Sequence, residues 1–368
     1  MKKLLSIALA MALVFSLTAC SSSGSGETAA ETTAAETAAR ETAAEETTGG
    51  ETAGAETEGA QTETAQTEGE SAAGSGETPE TVTIKSLNAN QEETDLEVPY
   101  DPQRIAILDM ASLDIIDNLG YGDRVVGSAS TSLDYLQDYV TDENIVNLGT
   151  IKEADMEAVM ECEPDVIFIG GRLSASYDAL SEIAPVVYLA TDTELGVVES
   201  VRKNAQTIAS MFGVEDQVET LMADFDARIE TLAAVAEGQT AIVGMCTSGS
   251  FNLLGNDGRC SIIGREIGFE NLSSDEVTST HGNESSFELI VELDPDYIFV
   301  MDRDAAIGTE GAQLAQEIVE NELVMETSAY QNGHVIYLAH PAVWYTAEGG
   351  VTALDVMLQD LEAELLAE

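Results

Sequence analysis

Residues 156–172 read MEAVMECEPDVIFIGGR, and residues 287–303 read FELIVELDPDYIFVMDR. Laid over one another, the two agree at Glu157/Glu288, Glu161/Glu292, Pro164/Pro295, Asp165/Asp296, Ile167/Ile298, Phe168/Phe299 and Arg172/Arg303. The pattern predicts a helix over Met156–Cys162 and Phe287–Leu293, a Pro-Asp turn, then a buried strand from Val166 or Tyr297. Arg172 and Arg303 would then stand just beyond the carboxyl ends of equivalent strands. In open α/β sheets, ligands bind in the crevice outside those ends. If two such units face each other, both arginines point into one cleft, although arginines of a generic repeat are more often plain surface residues.

Outward from the repeat the same rhythm continues. Ile105–Leu108, Val125–Gly127 and Val186–Leu189 read as buried strands in the first half, with a helical stretch over Ser112–Leu119. Ala241–Gly244 and Val335–Leu338 read as strands in the second half, with a helix over Ser261–Ile267. Strands alternating with helices imply parallel sheets covered on both faces. The expected fold class is therefore α/β, with two Rossmann-like lobes of mainly parallel sheet over 81–195 and 214–368. A single long interlobe helix over 196–213 joins them. Its apolar residues Val197, Val198, Val201, Ala205, Ile208, Ala209 and Phe212 recur at helical spacing, and Gly213 sits where a helix stops.

The chain does not all read as globular. Met1–Cys20 has a basic start at Lys2 and Lys3, an apolar run over Leu4–Leu17 and the ending Leu17-Thr18-Ala19-Cys20. This is an export signal, and the run is short for a membrane-spanning helix. The ending resembles a bacterial lipobox, which implies that Cys20 carries lipid and anchors the protein on the extracytoplasmic face of the cell membrane. Residues 21–80 hold fourteen Glu, one Arg and no Val, Ile, Leu, Phe, Tyr or Trp. Such a stretch cannot bury enough apolar surface to offset its conformational entropy, and reads as a disordered acidic tether. Most of the net charge of −54 nevertheless lies beyond it, on the body. A body that acidic repels nucleic acid, which excludes a nucleic-acid partner, and makes each arginine worth a question. Cys162, Cys246 and Cys260 are too few and odd in number for a disulfide framework; a Cys246–Cys260 pair and buried thiols both remain open.

More candidate groups gather in the second half: Arg259 in the polar loop Gly255-Asn256-Asp257-Gly258-Arg259, His281 in Thr280-His281-Gly282, and Trp344-Tyr345 before Glu348-Gly349-Gly350. Each has an ordinary reading: Trp344 as core, Tyr345 as a buried phenol with a partner, His281 as a loop hydrogen-bonder. Taken in order, Val98-Pro99, Arg104–Asp109, Gly171-Arg172, Gly258-Arg259, Thr280-His281-Gly282, Asp302-Arg303 and Trp344-Tyr345 resemble one known family, over residues 82–368. It is the class III substrate-binding lipoproteins of ABC transporters, in particular those for ferric catecholate siderophores. The sequence departs from that pattern at Cys260 and Ser261, where an aromatic and a glycine are expected.

The resemblance implies a monomeric class III periplasmic-binding-protein fold that captures a ferric siderophore and delivers it to an ABC permease. Arg172, Arg259 and Arg303 would contact the catecholate oxygens, with Trp344 and Tyr345 completing the pocket. His281 and Tyr345 would fill any iron positions that the siderophore leaves open. Glu157 and Glu288 would dock one lobe each to the permease, although a solvated helix face is their ordinary reading. No intrinsic cofactor is implied, and the iron complex is the ligand. An enzyme is not expected: the chain carries no G-x-S-x-G, H-E-x-x-H, P-loop or complete G-x-G-x-x-G. Three histidines supply a zinc or manganese site poorly. The alternatives are a haem-binding lipoprotein with His281 as axial ligand, and a non-transporting surface adhesin, for which paired cleft arginines have no use.

Overall fold

The computed structural model describes residues 79–273, 282–284 and 286–367. The signal segment with Cys20, nearly all of the acidic tether, and His281 lie outside the described residues. The body opens with an antiparallel hairpin, β1 (Thr81–Leu87) and β2 (Glu93–Pro99). The first lobe follows: β3 (Ile105–Leu108), β4 (Val125–Ser128), β5 (Val146–Asn147), a small hairpin of β6 (Gly149–Thr150) and β7 (Glu153–Ala154), then β8 (Val166–Ile169) and β9 (Val186–Tyr188). Its sheet is parallel, in the order β5-β4-β3-β8-β9. Strand order reverses direction between β3 and β8, so the crevice for a ligand opens at their carboxyl ends. The second lobe contains β10 (Thr240–Thr247), β11 (Ser250–Leu253), β12 (Glu270–Asn271), β13 (Asn283–Glu284), β14 (Tyr297–Asp302) and β15 (Val335–Tyr337). They run in the order β13-β11-β10-β14-β15, with β12 beside the start of β10 and with β11 antiparallel.

The repeated motif acts alike in both sheets. Met156–Glu161 and Phe287–Leu293 are helices that lead into β8 and β14, each flanked by a central strand, β3 or β10. The repeated aspartates pin the starts of those partners. Asp165 Oδ2 accepts the backbone N–H groups of Gln103 and Arg104, at 2.7 and 2.9 Å, just before β3. Asp296 Oδ2 accepts the backbone N–H and the hydroxyl of Thr240, both at 2.8 Å, at the first residue of β10. Alternation along β10 and β14 then sorts side chains between two cores. Ala241, Val243, Met245, Phe299 and Met301 join the main core shared with the first lobe, whereas Ile242, Cys246, Ile298 and Val300 face a smaller one.

The join is helical. Val197–Ser210 starts within a residue of the expected boundary and stops short of Gly213, and a second helix, Asp216–Ala236, completes the passage to β10. The expected helix over Ser261–Ile267 is a single turn, Ile262–Arg265. Cys162, Cys246 and Cys260 are buried free thiols, so the Cys246–Cys260 pair is not formed.

Two carboxylates, the buried Asp114 and the half-buried Glu266, tie the halves of the chain together. Helix Val351–Leu365 begins after Gly350 with no side-chain cap of its own. Asp114, on helix Met110–Asn118 of the first lobe, supplies one by accepting from Thr352 N at 3.0 Å and Ala353 N at 2.9 Å. Helix Val197–Ser210 begins after Gly196, again with no cap of its own, and Glu266 of the second lobe accepts from Val197 N at 2.5 Å and Val198 N at 3.4 Å. A Cβ on Gly196 or Gly350 would overlap the capping carboxylate, so the close approach requires glycine. Arg265, next to Glu266, adds hydrogen bonds to the carbonyls of Thr193 and Glu194.

Burial raises the Asp114 carboxyl to about 6, against the lowering effect of the two backbone donors. The folded protein thus holds this proton more tightly than the unfolded chain does. The stability gained that way is full below the ordinary value of 3.8 and is lost as pH rises through about 6. Asp114→Ala should remove that pH component and, at neutral pH, cost about 1–3 kcal/mol by orphaning two buried donors. Gly350→Ala should also destabilise, and the double variant should cost less than the sum of the two, because one contact is lost only once. Urea unfolding of the four proteins at pH 4 and pH 7 checks both expectations.

Candidate functional site

The carboxyl ends of β3 and β8 place Asp109 and Arg172 at the first sheet's switch point, and those of β10 and β14 place Thr247 and Arg303 at the matching point of the second. Arg172 follows Gly170-Gly171, and a Cβ on Gly170 would overlap Asp109 Oδ1. Arg303 opens the short helix Arg303–Ala306, whose N-cap Asp302 accepts from Ala305 N. Arg259 sits in the turn before helix Ile262–Arg265.

All three guanidinium groups converge on Tyr345. The Arg172, Arg259 and Arg303 carbons Cζ lie 5.9, 4.4 and 5.4 Å from the Tyr345 ring centroid. Arg303 Nε donates to the phenol oxygen at 3.0 Å and its Nη1 to Thr247 Oγ1 at 3.1 Å. Arg172 Nη2 and Arg259 Nε, from opposite lobes, donate to the Tyr345 carbonyl at 3.3 and 3.4 Å. That carbonyl is in the last turn of the six-residue helix Pro341–Thr346, where backbone acceptors lack in-helix partners. Two adjoining cavities, of about 190 and 440 Å³, share Arg172, Arg259 and Glu348 in their walls, and Tyr345 lines the smaller.

The electrostatics follow from the crowding. Burial, and then the charge of Arg259, pull Arg172 below its ordinary range, while Tyr345 and Asp109 oppose the shift. Burial raises the Asp109 carboxyl despite hydrogen bonds from the Ser112 N–H and hydroxyl and the nearby Arg172. Burial also pushes the Tyr345 phenol up, but the Arg303 hydrogen bond and the charges of Arg259, Arg303 and Arg172 together outweigh it and hold the phenol below its usual value. The arrangement can hold an anion and can supply a phenolate to a hard cation.

Of the expected site residues, Arg172, Arg259, Arg303 and Tyr345 are brought together. Trp344 is not: it is fully buried, and its Nε1 donates to Asp360 Oδ2 at 2.8 Å. A helix turns successive side chains about 100° apart, so when Tyr345 faces the cleft its neighbour faces the core. Asp360 also accepts from His340 N at 3.0 Å and lies 2.6 Å from His340 Nδ1, so it fixes the helix that presents Tyr345. Glu157 and Glu288 are exposed in the first turns of their helices, one per lobe. Sequence reasoning missed Asp109, Glu348 and Asp360 in this surrounding; Asp109 alone carried a signal, as the residue that ends a predicted strand.

The periplasmic binding protein family (Peripla_BP_2) matches residues 105–342. The petrobactin-binding protein YclQ of Bacillus subtilis is 34% identical over 295 residues, covering 79% of this chain and 90% of that protein. Its crystal structure superposes with a TM-score of 0.72 at 33% identity, over 79% of this chain and 100% of that one. The catecholate-siderophore-binding protein VctP of Vibrio cholerae gives a TM-score of 0.69 at 30% identity, over 77% of this chain and 100% of that one. The ferric-anguibactin-binding protein FatB of Vibrio anguillarum is 27% identical over 267 residues, 71% of this chain and 81% of that protein. The chain belongs to the periplasmic binding protein family, and its fold is the class III architecture of two α/β lobes. The family is one of substrate-binding proteins.

The lowered phenol can be read directly. In a spectrophotometric titration, the wild-type-minus-Tyr345→Phe difference should show a tyrosine ionising below the ordinary value of 10. Arg303→Leu, which deletes the hydrogen bond and one charge, should move that ionisation upward. An unchanged midpoint in Arg303→Leu would remove Arg303 as its cause.

Proposed function

We propose that this protein captures an anionic ferric siderophore of the catecholate type in the cleft between its lobes and delivers it to an ABC permease for iron uptake. The observation that carries the reading is the convergence of Arg172, Arg259 and Arg303 on one phenol at the ends of two facing sheets. A ferric tris-catecholate is a trianion, and guanidinium groups both offset its charge and donate to its oxygens. Fe(III) is a hard cation that favours oxygen ligands, so the depressed phenol of Tyr345 suits a complex with an open iron position, with His281 as its partner. The larger cavity is lined by glycines and by polar or charged residues, with no aromatic or large aliphatic side chain, which favours a polar complex over a planar porphyrin. The similarity to proteins that bind petrobactin and catecholate siderophores supports the same class of ligand.

The remaining roles complete the proposal. Cys20 carries lipid and the acidic tether holds the body away from the membrane on the extracytoplasmic face. Glu157 and Glu288, exposed at matching places on the two lobes, meet basic groups of the permease.

Trp344, the sole tryptophan, adjoins Tyr345 in sequence and reports on the cleft through energy transfer to an iron chromophore. Quenching at nanomolar ferric catecholate, with no Soret shift on adding haemin, is the expected result. A Soret shift with haemin and no response to catecholates would overturn the reading. Arg172→Ala and Arg303→Ala should each weaken catecholate binding by at least about tenfold, since hydrogen bonds to charged groups contribute about 1.5–3 kcal/mol. Unchanged affinity in both would remove the arginines from the site.

A further inference from the structure

Glu348 stands beside two arginines of the cleft wall. The two cleft cavities meet at a wall made of Arg172, Arg259 and Glu348, and a negative charge there would cancel part of the field that attracts an anion. Glu348 Oε1 accepts the backbone N–H of Cys260 at 2.8 Å. Cys260 has φ of 61°, the left-handed region that a side chain other than glycine adopts with strain, so this hydrogen bond helps to hold the turn that presents Arg259. The charged and titratable groups around Glu348 are Arg259 and Cys260 on that turn with Asp257 just before it, Glu266 from the helix that follows, Tyr345 from the helix before Glu348, and Arg172, Asp109 and Asp192 from the first lobe across the cavities. Burial raises its carboxyl to about 8; the Cys260 N–H and Arg259 oppose the shift and Glu266 adds to it.

We propose that Glu348 is a charge-selecting residue of the cleft. With its carboxyl neutral, it holds the Arg259 turn and leaves the arginine field intact. Ionised, it rejects ligands in proportion to their negative charge. The inference rests on the reading of the cleft as a site for an anionic siderophore. The sign follows from linkage: a trianion beside Glu348 favours the protonated form, so affinity is full while the carboxyl is neutral and declines as pH rises through its ionisation.

The test uses a hexadentate ferric tris-catecholate, whose iron is saturated and needs neither Tyr345 nor His281. Binding is measured between pH 6.5 and 9.5 for wild type, Glu348→Gln and Glu348→Ala. Wild-type affinity should fall at least about threefold further than that of Glu348→Gln across that range, any fall common to both belonging to the Tyr345 phenol, with the two nearly equal at pH 6.5. Glu348→Ala, which also removes the acceptor for Cys260 N, should show the same shallower profile as Glu348→Gln at lower affinity throughout. In the ligand-free proteins, the melting temperature of Glu348→Gln should gain on wild type as pH rises from 6.5 to 9, because only wild type must ionise this half-buried carboxyl. Parallel falls in affinity for wild type and Glu348→Gln, or a constant difference in melting temperature, would overturn the assignment. Absence of catecholate binding by wild type at every pH would withdraw the functional reading and this inference together; binding with matched slopes would withdraw this inference alone.

Discussion

A helix N-terminus buried without a cap leaves donors unsatisfied, and this protein solves that problem twice by reaching across the chain. Asp114 of the first lobe caps helix Val351–Leu365, and Glu266 of the second caps helix Val197–Ser210. Each cap needs a glycine at the helix start, because the carboxylate occupies the space of a Cβ. Two such bonds, at separate places and in opposite directions, fix the rotation of one lobe against the other. The distances within the cleft depend on that rotation. Arg172 comes from one sheet and Arg259 from the segment after another, yet both reach the same carbonyl.

That convergence has an electrostatic cost that the fold offsets locally. Three guanidinium groups around a single ring repel one another, and the lowering of Arg172 by burial and by Arg259 is one measure of it. The Tyr345 carbonyl, in the last turn of a helix, offers negative potential to two of the three, and its phenol offers an acceptor to the third. Tyr345 is therefore both an acceptor for all three arginines and a group whose ionisation they favour. The fixed position of helix Pro341–Thr346, held by Trp344 and His340 on Asp360, keeps those acceptors aimed at the arginines.

Much of this was legible in the sequence, for identifiable reasons. The duplicated helix-turn-strand carries its own register, which places Arg172 and Arg303 at strand ends. The β-branched runs of β3, β8 and β14 declared buried parallel strands. Other features left no local trace. The antiparallel β11 and the hairpin β1–β2 follow from tertiary pairing that alternation in a few residues does not announce. The family resemblance implies Trp344 in the pocket beside Tyr345, but the two are consecutive on one helix, which turns them about 100° apart and sends Trp344 into the core. Glu348 carried no signal among 68 acidic residues; only the distance to Cys260 N and the shared cavity wall single it out.

The main hydrophobic core does not stop at the boundary between lobes. It runs from Ile107 and Phe168 in the first sheet, through Val201, Ile208, Phe225 and Leu358 in the helices, to Val243 and Phe299 in the second. Two sheets that share one core form one cooperative unit of unfolding rather than two. Cutting the chain between its halves would bare the inner faces of both joining helices and of the terminal helix at once. The internal repeat thus describes two copies of a motif that are no longer two modules: neither half is a portable domain, and the smallest piece of this protein able to hold a ligand is the whole body.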